Sequence, residues 1–81
     1  MATARMTARA WIARYAEAIG APALSDDEVD TLLGLAGVAA HASERTAAPI
    51  STWLAGRTGL SPAAAKAAAE RLAAELEDMG G

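Results

Sequence analysis

His41 is the only histidine of the chain, followed by Ser43 and Glu44, with a further serine at position 51. The first chemistry to weigh is therefore a hydroxyl nucleophile served by an imidazole base and an orienting carboxylate. The spacing opposes it. On a helix His41 points about 160° away from Ser43, and no Gly-rich strand-to-helix elbow is present to expose a serine or to build an oxyanion hole. His41 is better suited to closing a helix, where a cation faces open carbonyls. Asp26, Asp27, Glu28 and Asp30 form an acidic run that could suggest a metal. Consecutive helical carboxylates splay apart, however, and a helix start explains them more simply, because the macrodipole favours negative charge there. With no cysteine, thiolate nucleophiles, disulfides and the usual structural zinc sites are excluded. The expectation is a non-enzyme with no catalytic, metal or cofactor site.

What remains is a set of residues suited to recognition. Glu44 and Arg45 join His41 in the one polar cluster of a region otherwise built from Ala and Leu, and Arg45 falls four residues after His41, on the same side of a helix end. Two readings of Arg45 stay open. It either satisfies carbonyls left free where a helix stops, or its planar fork meets a carboxylate or phosphate on a partner. Trp11 and Trp53 lie on apolar stripes and so belong to the core, with Trp53 the better candidate for an exposed anchor of the kind enriched at interfaces. The expected partner-binding set is His41, Glu44, Arg45, Pro49 and Trp53. The stretch Leu54 to Ala65 also resembles a helix-turn-helix, but its second helix opens Pro62-Ala63-Ala64-Ala65 and offers only Lys66 and Arg71 to base edges.

Four helices are needed to position these residues. The first, about 4–19, carries Ala8, Trp11, Ile12, Tyr15 and Ile19 on one stripe, with Arg5, Arg9, Arg14 and Glu17 mostly elsewhere. Gly20 suits the left-handed position that ends it, and Pro22 keeps it from resuming. Ser25 and Glu28 have capping-box spacing, with Leu24 and Val29 placed for a hydrophobic staple. The second helix, about 26–42, has an apolar arc too wide for a surface position and is expected at the centre. Residues 41–48 read as its connection to a third helix, about 49–58, with Pro49 in the first turn and Gly59 at the end. Ser61-Pro62 opens a fourth, about 62–79, on which Ala65, Ala69, Leu72, Leu76 and Met79 share a face. Gly80 and Gly81 are expected to fray.

The fold class predicted is all-α, a single domain over residues 1–81 forming a compact four-helix bundle or orthogonal array with short connections. At this length roughly 60% of the unfolded surface is buried. Hydrophobic residues reach 53%, but many are alanine and Phe is absent. The two Trp and the leucines are thus expected to supply most of the stabilisation.

A net charge of −3 argues against a nucleic-acid surface, which needs clustered Lys and Arg. The Arg-punctuated start has no continuous apolar stretch, so neither a signal peptide nor a membrane span is expected, and the cytoplasm is the default location.

The segment from Leu35 to Gly56 contains Ala40-His41, then Arg45, then Ala48-Pro49-Ile50, then Trp53-Leu54. In this pattern it resembles a small uncharacterised bacterial domain that occurs alone or fused to molybdopterin-guanine dinucleotide biosynthesis proteins. The likeness extends over most of the chain, but only this central stretch is specific. It implies an accessory role in molybdenum cofactor biosynthesis, or with enzymes that receive that cofactor, such as formate dehydrogenase. The chain has no Gly-rich phosphate loop and no strand pattern, so guanylyl transfer does not carry over. The resulting expectation is a helical accessory domain or small subunit that docks on a protein partner. The alternatives are a self-associating, homo-oligomeric module and the DNA-binding reading.

Overall fold

The computed structural model describes residues 6–80 and is all-helical over them: α1 Ala8–Ile19, α2 Asp26–Ala42, α3 Ala47–Thr58 and α4 Pro62–Gly80. Among the described residues there is no strand, and no helix is long and apolar enough to cross a membrane.

Local chemistry sets most of the boundaries. Thr7 caps α1, its Oγ1 accepting from the Ala10 N–H at 3.1 Å. The helix therefore starts later than the expected position near residue 4, and positions 4 and 5, Arg5 included, lie outside the described residues. Gly20 ends α1 at φ 72° and Gly59 ends α3 at φ 80°, a region that costs any residue with a Cβ. Ser25 and Glu28 form the capping box in both directions: Ser25 Oγ accepts from the Glu28 N–H at 3.0 Å, and Glu28 Oε1 accepts from the Ser25 N–H at 2.8 Å. Ser61 Oγ accepts from the Ala64 N–H at 3.1 Å and opens α4.

The second connection is shorter than expected. The N–H of Ala47 donates to the Glu44 carbonyl at 2.9 Å and that of Ala48 to the Arg45 carbonyl at 3.2 Å. These turns start α3 at Ala47 instead of near Pro49. Pro49 still sits in the first turn, where a missing N–H costs nothing.

α2 is the central element and packs on both α3 and α4. Its Val29 and Leu35 are buried, Leu35 to 3% exposure. The groove residues described below pair Val38 and His41 of α2 with Ala73 and Glu77 of α4, while Gly34 approaches Lys66. The two helices thus run in the same direction. At that approach a Cβ built on Gly34 would stand 2.7 Å from Lys66 Cε, near the end of a flexible side chain that can shift to make room.

The expectation for the core is corrected here. Only Val29 and Leu35 are bulky among the buried residues; the others are Ala16 and Ala65, with Ala69 of α4 and Ala47, Ala48, Ser51, Thr52 and Ala55 of α3 half-buried. Trp11 is 55% exposed and Trp53 67%, and Tyr15, Ile19, Leu33, Ile50, Leu54, Leu72, Leu76 and Met79 are exposed as well. In α1 the face turned toward the rest of the chain is Ile12 with Ala16, one step around from the Trp11, Tyr15, Ile19 stripe. The physical reason is distance: alanine faces let helix axes approach closely, and the bulky neighbours on each helix then have no room between them.

α1 is held differently from the other helices. Arg9 donates from Nη2 to Asp30 Oδ1 at 2.6 Å and from Nη1 to Asp26 Oδ1 at 3.2 Å. The hydrogen bond to Asp30 leads in raising the Arg9 pKa above its ordinary value.

Two substitutions test this inside-small arrangement by urea unfolding followed with circular dichroism. Ala65→Leu should destabilise by about 1–3 kcal/mol through overpacking. Trp53→Ala should change stability by no more than about 0.5 kcal/mol, as at a surface site.

Candidate functional site

The five residues singled out from sequence lie along one continuous path over the α2–α3 corner. His41 is on the last turn of α2, Glu44 and Arg45 are in the turn, and Pro49 and Trp53 stand one helical turn apart on α3. All five are exposed. Among the described residues no hydrogen bond or ion pair joins His41, Glu44 and Arg45, so they form a surface path and not a network.

The turn's own backbone bears on the two readings of Arg45. The Ser43 N–H donates to the Ala39 carbonyl at 3.1 Å, closing α2 through the main chain. Arg45 contributes its carbonyl to α3, while its guanidinium has no partner among the described residues. A fork with that exposure has the geometry to meet a carboxylate or phosphate.

Trp53 has apolar company that the sequence reading did not assign to the site. Ile50 and Leu54 are 61% and 55% exposed and flank it on the same outward half of α3. The signal was available in the sequence, since Ala47, Ser51 and Ala55 share a small-residue face that leaves 50, 53 and 54 on the other side. The arrangement offers a large aromatic anchor, two aliphatic neighbours and an unpaired guanidinium at the rim, the usual make-up of a protein-binding hot spot.

Two depressions flank the C-terminal half of α2. One, of about 190 Å³, lies between α3 and α4 and is walled by Ala42, Ala47, Ser51 and Leu72 among others, nearly all apolar. The other, of about 630 Å³, runs between α2 and α4 on the side away from α3. Its floor is Gly37, Val38, Ala73 and Leu76, and its rim carries His41, Glu70 and Glu77. His41 thus faces α4 carboxylates across a groove, a juxtaposition that the sequence reading missed because nothing local announces that α2 and α4 are neighbours.

The other chemistries considered gain no support. Among the described residues no His, Asp or Glu cluster has the arrangement of a metal site. The acidic run is engaged elsewhere: Asp26 and Asp30 hold Arg9, and Glu28 completes the capping box. α3 and α4 barely touch, unlike the tightly packed pair of a helix-turn-helix.

A family model described as a domain of unknown function (DUF6457) matches residues 3–80, and the chain belongs to that family. No curated protein and no solved structure matches it.

Arg45→Ala should leave the urea midpoint unchanged within about 0.5 kcal/mol of unfolding free energy. A larger loss would make Arg45 part of the structural corner after all.

Proposed function

Within this family of unknown function, we propose that the chain is a non-catalytic helical docking domain whose partner sits on the α2–α3 corner. The observation that carries the reading is Trp53: the largest side chain of α3 stands 67% exposed beside Ile50 and Leu54, with the unpaired Arg45 guanidinium in the adjoining turn. Monomeric proteins seldom leave such a cluster uncovered without a use for it. A partner would bury the indole and its aliphatic neighbours, and would present an acidic group to Arg45. His41, Glu44 and Pro49 would border the same contact.

The partner class comes from the sequence pattern. The His41, Arg45, Pro49, Trp53-Leu54 pattern, with its likeness to domains fused to molybdopterin-guanine dinucleotide biosynthesis proteins, favours a molybdoenzyme of the formate dehydrogenase kind or the machinery that matures its cofactor. On this reading the domain works beside such an enzyme, in the cytoplasm, as an accessory subunit. It binds no cofactor itself.

Affinity purification of the full chain from its native cells, followed by mass spectrometry, tests the proposal. A molybdoenzyme subunit or cofactor-maturation protein is expected in stoichiometric amount. Trp53→Ala and Arg45→Ala should each reduce its recovery about tenfold or more while the chain stays helical. Recovery of the chain without such a protein would reject the reading.

A further inference from the structure

The groove between α2 and α4 is a second uncovered surface, distinct from the Trp53 corner, and α1 carries a third. Trp11 and Tyr15 stack with ring centroids 4.9 Å apart and planes 15° from parallel, and both rings are half exposed. Arg14 lies on the same side of α1 and is also exposed, touching only Glu17 at the long distance of 3.9 Å. We propose that this Trp11–Tyr15–Arg14 face docks into the α2–α4 groove of a second copy of the chain, and that the reciprocal contact closes a two-fold dimer.

The two surfaces match in character. The groove has an apolar floor and a rim with Glu70 and Glu77. Glu70 is shared with Lys66 at 3.4 Å, while Glu77 has no ion pair among the described residues. α1 brings stacked aromatics for the floor and a guanidinium for the rim, so charge and polarity complement each other across the contact. The short connection of residues 20–25 and the Arg9 ion pairs to Asp26 and Asp30 seat α1 at the start of α2, away from the groove of its own chain. From Asp30 to His41 is about 16 Å along the helix. A two-fold axis removes the difficulty, since each α1 then meets the other chain's groove and no open surface is left to propagate.

Gly37 supplies an independent argument. It sits in the middle of α2 on the groove floor, where glycine is the least favourable residue for a helix apart from proline. A Cβ built on it meets nothing within 4 Å, so no contact within the chain needs a glycine there. The open space over it leaves room for the close approach that the proposed dimer requires.

The test is sedimentation equilibrium of the purified full chain over a concentration series, with helicity followed by circular dichroism. A closed dimer is expected, and Trp11→Ala and Glu77→Lys should each raise its Kd about tenfold or more at unchanged helicity. Gly37→Ala should make the opposite pair of changes, raising the urea midpoint of the dilute chain while weakening the dimer. Combining Arg14→Glu with Glu77→Arg should restore association that either change alone impairs. A monomer at every concentration would overturn the proposal, as would open-ended assembly or a dimer indifferent to these substitutions. Glu77→Lys leaves the Trp53 corner intact, so recovery of a molybdoenzyme partner by this variant does not depend on the dimer.

Discussion

The close contact of α2 with α4 is the constraint from which the rest follows. Gly34 lies against the Lys66 side chain, and Ala65 and Ala69 place small side chains on the α4 side. Leu35 is buried on α2, while Leu72, Leu76 and Met79 of α4 are left exposed. The same choice recurs on α3, where Ala47, Ser51 and Ala55 turn inward and Ile50, Trp53 and Leu54 turn out. Alanine buries little apolar area, and the contribution to stability scales with that area. A chain built this way gains less from its own interior than its 53% hydrophobic content suggests. Any chain that covers the outward faces adds to its stability by mass action.

This trade links the fold to the proposed function. The surfaces that would make a well-buried core in another arrangement are here presented in two places, the Trp53 corner and the paired α1 face and α2–α4 groove. Arg9 has a part in it: by fixing α1 to the start of α2 through Asp30 and Asp26, it leaves the Trp11–Tyr15 stack facing away from the chain. α2 closes with a backbone hydrogen bond from Ser43 to Ala39, and the Arg45 side chain makes no ion pair among the described residues.

Much of this was legible from residue types alone. Gly20, the Ser25 and Glu28 box, Gly59 and the Ser61-Pro62 start each carry their reason within a few residues, and the four helices follow from them. The breadth of the apolar arc on α2 likewise indicated a central position. Pro49 is a strong marker and the two alanines before it are silent, so residue types alone point to a later start of α3 than Ala47. The exposure of Trp11 and Trp53 has no local signal. Periodicity tells which face of a helix is apolar, but not whether its own chain or another one covers it. The parallel seating of α4 on α2, and with it the groove that holds His41, Glu70 and Glu77, depends on contacts distant in sequence and has no local signature.

Tryptophan fluorescence of the dilute, isolated chain tests the central claim that the bulky side chains face outward. With single-Trp variants separating Trp11 from Trp53, both indoles should emit at long wavelength and be quenched by acrylamide nearly as readily as in the urea-unfolded chain, while the helical circular dichroism stays intact. Short-wavelength emission protected from quencher at the same dilution would show that the indoles form the core, and would contradict the account.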